Sequence, residues 1–332
     1  MQVALTFDYE LFFGIETGSV SKCMIEPTQQ LLKIAEDQRI KMTFFIDVGF
    51  LIQLNKHRSN HPEIENDWNQ ITNQIQAMIA ADCAVQLHIH PHWETATYTN
   101  QKWLFNIDQT YKLSDFPQPE AEQIVRKYTR FLFELTGKKV HSFRAGGWCI
   151  QPFSQLASVF KELGIVADSS VFPGGKMETP HYAFDFTSIP PFSSTYRFES
   201  DVCVKETEGY FTEFPIASWL YSPFFYWRLY VLGRLFPHSH RMWGDGIFLA
   251  QPGRKQSVLT SKTWNHVSSD GYYASFLHKQ FKSYLKHQVD VFVVIGHPKG
   301  LTNYSFQKLK KFIHKTKSTA EFVTFDQLTC TL

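Results

Sequence analysis

The sequence has few cysteines, no long apolar run and no excess of charge of either sign. Its five cysteines stand singly without a Cys-x-x-Cys pair, which argues against a disulfide framework and a cysteine zinc site. No uncharged apolar stretch reaches the roughly 18 residues of a membrane-spanning helix. Lys and Arg number 33 against 31 Asp and Glu, and this near balance disfavours a nucleic-acid partner.

The sequence also shows no internal repeat, and its start, MQVALTFDYE, has no charged segment followed by a long apolar one. We therefore expect no signal peptide and a cytoplasmic location. Aromatic residues are abundant instead: 31 Phe, 14 Tyr and 8 Trp make up 16% of the chain, beside 14 His. With 332 residues, of which 43% are hydrophobic, the chain is long and apolar enough to form a sizeable folded core.

Short β-rich runs alternate with amphipathic helical stretches, a pattern typical of βα units around a parallel sheet. The predicted helices are 28–39, 64–81, 120–135, 153–163 and 305–315. The predicted strands are 3–8, 41–47, 84–88, 140–144, 164–168, 290–296 and 321–325. Seven such strands predict a barrel or a doubly wound sheet. Residues 172–271 interrupt the alternation, and we interpret them as one large insertion in a single domain that spans 1–332.

Reactive side chains stand at the ends of the predicted strands, where the loops of a parallel α/β barrel converge on one face. Each could separately be a helix cap, a turn residue or a member of a surface ion pair. Their joint position on one rim favours a functional site over those separate explanations. In chain order these side chains are Asp8, Glu10, His88, His90, His92, Arg144, Trp148, Asp168 and His297.

The three histidines of HIHPH predict a metal site, since they lie within five residues and Pro91 restricts the chain between them. Two histidines and a carboxylate suit a catalytic divalent metal such as zinc, with a position left open for water. Strand periodicity places Asp8 and Glu10 on one face and Tyr9 on the other. One carboxylate would then bind the metal and the other would act as a base, and the pattern leaves open which does which.

These motifs, in this order, resemble those of the NodB-homology polysaccharide deacetylases, carbohydrate esterase family 4. The resemblance rests on TFDYE at 6–10, HIHPH at 88–92, FRAGGW at 143–148, DSSV at 168–171 and IGHP at 295–298. It implies a distorted seven-stranded (β/α) barrel. It also implies an enzyme that uses a divalent metal, commonly zinc, to remove acetyl groups from an N-acetylated sugar or glycan. A role in cell-surface polysaccharide metabolism is the further expectation for a member without a signal peptide.

The resemblance also implies roles for individual residues. His88 and His92 would bind the metal, Asp8 would be the base, Arg144 would orient it and His297 would be the acid. Trp148, which follows the fourth predicted strand, and Asp168, which ends the fifth, are assigned to substrate binding. Tyr9 departs from the family pattern, because it stands where a metal-binding Asp is usual. Glu10 is the nearest carboxylate on the face of Asp8 and is assigned to the metal, although the reverse assignment stays open.

Two other functions compete with a deacetylase. An amidohydrolase-type, metal-dependent amide hydrolase also carries a His-x-His motif, but there it normally follows the first strand and here it follows the third. A non-catalytic carbohydrate-binding barrel without metal is the other alternative, and the substitution at Tyr9 favours it. The presence or absence of metal in the purified protein separates an enzyme from a binding module.

Eight of the aromatic residues fall in the segment 219–236, together with Arg228 and Arg234. One interpretation is a helix that packs on the barrel or forms a contact between subunits. Another is a helix that lies at a membrane surface, because aromatic residues and spaced Arg suit the headgroup boundary. A third is that aromatic residues of the insertion line the sugar site, the candidates being Trp243, Trp264 and Tyr272.

Overall fold

The computed structural model describes residues 1–249, 251–330 and 332. Its strands are β1 (Gln2–Tyr9), β2 (Thr43–Asp47), β3 (Ala84–Ile89), β4 (Thr97–Thr99), β5 (Lys102–Leu104), β6 (Ser142–Ala145), β7 (Ala167–Asp168), β8 (Lys176–Glu178), β9 (Ala183–Asp185), β10 (Tyr196–Phe198), β11 (Phe211–Glu213), β12 (Ser218–Tyr221), β13 (Thr263–His266), β14 (Val291–Gly296) and β15 (Glu321–Phe322). Its helices are α1 (Glu26–Gln38), α2 (Val48–His57), α3 (Pro62–Ala80), α4 (Ile107–Thr110), α5 (Gln118–Thr136), α6 (Ser154–Leu163), α7 (Pro223–Leu235), α8 (Pro237–His240), α9 (Arg254–Thr260), α10 (Leu277–Lys286), α11 (Asn303–Thr316) and α12 (Phe325–Thr329).

The central sheet has the strand order β10-β11-β7-β6-β3-β2-β1-β14, and β15 also pairs with β1. Its neighbouring strands are parallel except β10 and β11. Beyond β11 the chain returns to β14, since Ile216 bridges to Val293 and Ser268 bridges to Ile295. The sheet therefore curls into a distorted half-barrel, which confirms the predicted fold class.

The core lies between this sheet and the helices that follow its strands. All residues of β2, β3 and β14 are buried, as expected for parallel strands covered on both faces. Helix α5 shows how the helices cover the sheet. It buries Ile124, Val125, Tyr128 and Leu132, whose spacing forms one helical stripe. The helix ends at Gly137, whose φ of 66° is the left-handed conformation that glycine adopts without strain.

Each of the seven predicted strands has a counterpart in the central sheet. Helix α2 was not predicted: it begins directly after β2, and because Gly49 lies in its first turn, no loop separates the two apolar runs. The division of the chain into a barrel and a 172–271 insertion stays a prediction. The structure adds that β10 and β11, which fall inside the predicted insertion, extend the central sheet.

The remainder of the predicted insertion contains a two-stranded sheet, β12–β13, and α7, α8 and α9 lie between its two strands in the sequence. This part has a small hydrophobic cluster of its own, separate from the main core. Its buried members are Tyr221, Phe225, Tyr226, Val258 and Tyr272. Among the described residues, we find no helix that combines the length and the apolar character needed to cross a bilayer.

Candidate active site

Strand β1 delivers the first side chains of the site. Asp8 and Glu10 are both buried, with exposures of 4% and 5%, and both reach the end of the sheet where the loops converge. Tyr9 points to the opposite face, where its hydroxyl donates a hydrogen bond of 2.8 Å to Gln74 of α3. The predicted alternation along β1 is thus confirmed, and Tyr9 is a core residue that anchors the strand to a helix.

Asp8 forms an ion pair with Arg144 of β6. Arg144 Nη1 donates to Asp8 Oδ1 over 2.7 Å and to the hydroxyl of Thr6 over 2.9 Å. The same guanidinium donates through Nε to the carbonyl of Ser169 over 2.8 Å and stacks on the ring of Phe45, 4.2 Å away. Because Arg144 is fully buried and held from three sides, it fixes Asp8 Oδ1 and leaves Oδ2 facing the site.

Glu10, His88 and His90 form a cluster at the same end of the sheet, and their potential ligand atoms all lie within 4.8 Å of one another. Glu10 Oε2 lies 3.0 Å from His88 Nε2 and 2.7 Å from His90 Nε2. The other ring nitrogen of His88, Nδ1, lies 2.8 Å from the carbonyl oxygen of Arg144. That contact orients the His88 ring so that Nε2 points into the cluster.

The electrostatics of the cluster follow from burial and from its close charges. Burial alone would raise the pKa of Glu10, but Lys299 and His90 outweigh it and hold that pKa well below its usual range. Burial would lower the pKa of His88, but the carboxylates of Asp8 and Glu10 outweigh it and the pKa is raised. Burial dominates at His90 and lowers its pKa to about 4, so that imidazole is neutral at pH 7.

Lys299 is a buried cation beside the cluster. It is 3% exposed, and its Nζ donates to Glu10 Oε1 over 2.8 Å and also to the carbonyl of Leu11. The ammonium lies 4.8 Å from the ring centroid of Phe13 and 5.0 Å from that of Phe12. Because a lysine is rarely buried without a partner of opposite charge, we attribute its position to the charge of Glu10.

His297 follows β14 and is held by Asp270. The backbone N–H of His297 donates to Asp270 Oδ1 over 2.8 Å, and its Nδ1 lies 2.7 Å from Asp270 Oδ2. The other nitrogen, Nε2, faces the site, 3.7 Å from Asp8 Oδ2 and 3.9 Å from Glu10 Oε1. Burial would lower the pKa of His297, but Asp270 outweighs it and the pKa is raised.

The structure keeps the third predicted metal histidine apart from the cluster. His92 lies in the 3-10 turn Pro91–Thr95, and its ring packs against Phe13 at 4.7 Å and Phe105 at 4.8 Å. Within the described residues, neither of its ring nitrogens has a hydrogen-bond partner, and burial lowers its pKa well below the usual value. His90, not His92, shares the cluster with Glu10 and His88. Metal binding by His92 stays a prediction that this geometry does not favour.

The two predicted substrate residues differ in position. Trp148 is half-buried in the 3-10 turn after β6, and its ring lies 4.9 Å from the ring of His266. Asp168 is 2% exposed, and its carboxylate accepts hydrogen bonds from the backbone N–H and the hydroxyl of Ser170, at 2.9 and 2.8 Å. Substrate binding stays a prediction for both, and the buried position of Asp168 suggests instead that it supports the barrel wall.

A second carboxyl group lies beside Asp168. Glu213 of β11 is fully buried and stands opposite Asp168 in the β7–β11 register. Burial raises the pKa of Glu213 well above its usual value, and the nearby Asp168 raises it further. Burial also raises the pKa of Asp168. Two buried carboxyl groups this close retain a proton between them.

A metal ion fits the cluster at the level of ligand chemistry. Two imidazole nitrogens and one carboxylate oxygen are the donor set of a catalytic zinc site, and the Arg144 carbonyl provides the outer contact that such a histidine ligand needs. His90 Nδ1 has no hydrogen-bond partner among the described residues. Lys299 contacts Glu10 through Oε1, which leaves Oε2 directed at both histidines.

Sequence reasoning missed Lys299 and Asp270, and it placed His90 outside the ligand set. A signal existed for His90: it stands two residues after His88, so the alternation used for Asp8 and Glu10 places both rings on one face. Lys299 and Asp270 lie in PKG and SDG, which are typical of turns, and nothing local distinguishes them from ordinary turn residues. Only the curled sheet brings them to the cluster.

Neither a protein-family model nor a curated protein matches this sequence. Solved structures do match it. A candidate polysaccharide deacetylase from Mycobacterium smegmatis aligns over 98% of this chain and 88% of its own, with a TM-score of 0.52 and 14% identity. The chain has a polysaccharide deacetylase fold.

Other solved structures share the deacetylase fold at similar distance. PuuE allantoinase aligns over 98% of this chain and 88% of its own, with a TM-score of 0.50 and 13% identity. A 4-alpha-glucanotransferase from Thermococcus litoralis covers all of this chain, with a TM-score of 0.52 and 12% identity, but only 41% of its own length is matched. At such identities these likenesses establish the architecture and leave the reaction to the residues of the site.

Proposed function

We propose that this protein is a divalent-metal-dependent deacetylase that hydrolyses the acetamide of an N-acetylated sugar or glycan, with zinc as the best-suited metal. One observation carries the proposal: the carboxylate of Asp8, a histidine of the candidate metal cluster, His88, and a second histidine, His297, lie close together. Asp8 Oδ2 lies 4.0 Å from His88 Nε2 and 3.7 Å from His297 Nε2. Hydrolysis of an amide by water requires a base, an acid and an electrophile: Asp8 is suited to be the base and His297 the acid, and a metal held beside His88 would supply the electrophile.

The metal would be held by Glu10, His88 and His90. When bound, it supplies polarisation of the amide carbonyl and a lowered pKa for a water molecule. Lys299 would remain on the other oxygen of Glu10, where it keeps that carboxylate ionised over a wide pH range. The neutral imidazole of His90 is the form in which a histidine binds metal.

Asp8 would take the proton from the attacking water. Its Oδ1 is occupied by Arg144, so the free oxygen, Oδ2, is the one that accepts the proton. The bond that forms joins the water oxygen to the acetyl carbon, and the bond that breaks joins that carbon to the sugar nitrogen. The products are acetate and the free amine.

His297 would protonate the leaving nitrogen. Asp270 holds Nδ1 of the ring, so the proton that can be delivered is on Nε2, the nitrogen that faces Asp8 and Glu10. The raised pKa of His297 keeps a fraction of the imidazole protonated near neutral pH, as a general acid requires.

The substrate would be recognised partly by aromatic surface. Trp148 is half-buried, and its ring lies near those of Phe172 and His266, at 5.4 and 4.9 Å. Such a wall suits the apolar face of a sugar ring. We further propose that the enzyme acts in the cytoplasm, in cell-surface polysaccharide metabolism, on a substrate of low charge.

The test is acetate release by the purified protein from N-acetylated sugars and their oligomers, with zinc or cobalt added after removal of bound metal with a chelator. We expect activity that returns with metal and falls in His88→Ala and His297→Ala. The matched control is His314→Ala, because His314 is exposed on α11. Activity that persists in both site variants at the wild-type level contradicts the proposal.

A second candidate is the hydrolysis of a different amide, and the likeness to PuuE allantoinase at a TM-score of 0.50 favours it. Allantoin as the substrate, with the ring-opened acid measured in place of acetate, decides between the two, since only one substrate class should respond to metal and to the His297 substitution. Metal analysis of the purified protein tests the remaining alternative, a non-catalytic carbohydrate-binding barrel. A protein that contains no metal, releases no acetate and still binds glycans would be such a binding module.

A further inference from the structure

Helix α7 is apolar on both of its faces, which is unusual for a helix on the surface of a protein. Its sequence, PFFYWRLYVLGRL, contains five aromatic residues and four aliphatic ones among its thirteen positions. A helix that is apolar all round is normally enclosed by protein or lipid. Here only one face is covered.

The covered face belongs to the small hydrophobic cluster. Phe225 and Tyr226 are buried there, and Phe225 packs against Tyr221 at 4.5 Å and Tyr273 at 5.0 Å. Trp227 Nε1 donates to the carbonyl of Leu259 over 3.2 Å, at the end of α9. These contacts fix the helix to the protein and determine which side chains remain outside.

The outer face is an exposed apolar stripe. Its members recur at helical spacing and continue one residue beyond the helix, and their exposed fractions are 67% for Phe224, 53% for Trp227, 46% for Val231, 66% for Leu235 and 56% for Phe236. An apolar group of this kind on a soluble protein marks a contact with another molecule. The question is which molecule covers it.

Charge around α7 points to an anionic partner. Residues 214–320 contain fifteen Lys and Arg but only three acidic residues, whereas residues 1–213 contain eighteen Lys and Arg and 26 acidic residues. The three acidic side chains all have partners of their own: Asp245 accepts from Ser19, Asp270 from His297 and Asp290 from Thr195. The near balance of the whole chain therefore conceals a strongly basic region.

Six of these cations lie on or close to α7, and within the described part of the chain none of them forms an ion pair shorter than 4.0 Å. All but Arg254 are exposed. They are Arg228, Arg234, Arg241, Arg254, Lys255 and Lys262. Arg228 lies 5.6 Å from the ring of Phe224, so its charge sits directly at the apolar stripe.

We propose that α7 is an interfacial helix that docks the protein on an anionic membrane surface, with Phe224, Trp227 and Leu235 at the acyl boundary. Arg228 and Arg234 then contact lipid phosphates. Aromatic side chains flanked by cations are typical of helices that lie in the interface without crossing the bilayer. A second copy of the chain fits less well. Two-fold pairing through α7 would bring Arg228 and Arg234 of both copies together without a carboxylate between them.

Docking through α7 would leave the candidate active site close to the membrane. Gly244, eight residues beyond Phe236 at the C-cap of α7, donates its backbone N–H to the carbonyl of Lys299 over 3.1 Å. Eight extended residues span at most about 28 Å, so the site residue Lys299 lies within roughly that distance of the end of the helix. The inference about docking does not depend on which reaction the site performs.

Co-sedimentation with vesicles tests the proposal. One set of vesicles is phosphatidylcholine, and the other is phosphatidylcholine mixed with phosphatidylglycerol. We expect binding to the anionic set, and Phe224→Ser with Leu235→Ser should weaken it at least about tenfold. Arg228→Gln and Arg234→Gln should each weaken it roughly fivefold, and added salt should act in the same direction.

Matched controls use exposed residues outside α7. Phe133→Ser with Leu285→Ser removes two exposed apolar side chains, and Lys33→Gln with Lys139→Gln removes two exposed charges. Both double variants should bind as the wild type does. Thermal unfolding verifies that each variant is folded. As a second readout, lipids with brominated acyl chains should quench tryptophan fluorescence, and Trp227→Phe should reduce that quenching.

Three outcomes overturn the proposal. The first is absence of binding to anionic vesicles. The second is binding that the α7 variants leave unchanged. The third is a wild-type protein that forms a dimer and does not bind vesicles, together with a Phe224→Ser, Leu235→Ser double variant that is monomeric. That result would identify a second copy of the chain as the partner.

Discussion

The strand ends and helix α7 handle charged and apolar groups in opposite ways. At the strand ends, charged side chains are buried and meet opposite charges, as Arg144 meets Asp8 and Lys299 meets Glu10. Along α7, apolar side chains are exposed and the cations form no ion pairs within the described residues. At the strand ends, the charged groups are paired by other residues of the chain. The outer face of α7 would be covered only by another molecule.

The difference has an energetic meaning. A charge buried without its partner is strongly destabilising, so each group at the strand ends depends on the others. An exposed apolar side chain contributes little to the free energy of unfolding, because it is in water in both states. Substitutions should therefore affect activity and stability at the strand ends, and association alone at the outer face of α7.

The largest effect is expected at Asp8. Asp8→Asn removes the base but keeps the shape of the side chain, and we expect kcat for acetate release to fall by about 10²- to 10⁴-fold. The measurement is steady-state acetate release with metal present, on protein whose circular dichroism shows that it is folded. Asp37→Asn, at an exposed position of α1, is the control. A loss below tenfold would assign the base to another group.

Lys299→Met should destabilise the fold by about 3–5 kcal/mol, because it leaves the buried carboxylate of Glu10 without its cation. Urea unfolding of the metal-free protein measures the change. Lys311→Met, at an exposed position of α11, should change the free energy of unfolding little. Zinc should recover part of the loss, since a bound cation replaces the missing charge. Equal stability of the two lysine variants would argue against the buried ion pair.

The buried pair Glu213–Asp168 should make stability depend on pH. Both carboxyl groups have raised pKa values in the folded protein, so the folded state retains protons that the unfolded state loses above about pH 4. The stability that these protons provide is complete below that pH and is lost as pH rises, by at most about 1.4 kcal/mol per unit for each proton retained. Glu213→Gln should reduce this slope.

Urea unfolding at a series of pH values from about 5 to about 9 measures the slope for wild type and variant. Glu208→Gln, at an exposed position, is the control and should keep the wild-type slope. A Glu213→Gln slope equal to that of wild type would mean that the pair is ionised in the folded protein.

The smallest effect is expected at the outer face of α7. Phe224→Ser should change the free energy of unfolding by no more than about 0.5 kcal/mol, because Phe224 is 67% exposed. Its neighbour Phe225 is 3% exposed, and Phe225→Ser should cost about 3–5 kcal/mol. Thermal or urea unfolding of this adjacent pair tests the assignment of the two faces. Similar losses in both variants would show that the outer face packs against the protein.

The sequence predicted the parts of the site that depend on local periodicity. Alternation along β1 separated Tyr9 from Asp8 and Glu10, and the parallel order of strands brought Arg144 and His297 to the same rim. The position of His92 could not be read in this way, because Pro91 begins a 3-10 turn and ends the alternation after His90.

Other parts depend on tertiary contacts that have no local signature. Lys299 reaches Glu10 and Asp270 reaches His297 only because the sheet curls, and both residues stand in ordinary turn sequences. The short strands β10 and β11 have three residues each, too few for a clear period, so the central sheet extended further than predicted. Composition likewise gave the total charge but not its uneven distribution.

The loop after β1 is joined to the predicted insertion by a small set of hydrogen bonds. Gly14 N–H donates to the carbonyl of Ile247 over 3.0 Å, Ile247 N–H donates to that of Glu16 over 2.9 Å, and Asp245 accepts from Ser19. A side chain at Gly14 would overlap the carbonyl of Ile247. An engineer who transplants this insertion into a related barrel must therefore transplant residues 11–19 with it, because the two segments are separate in the gene but form one exchangeable module.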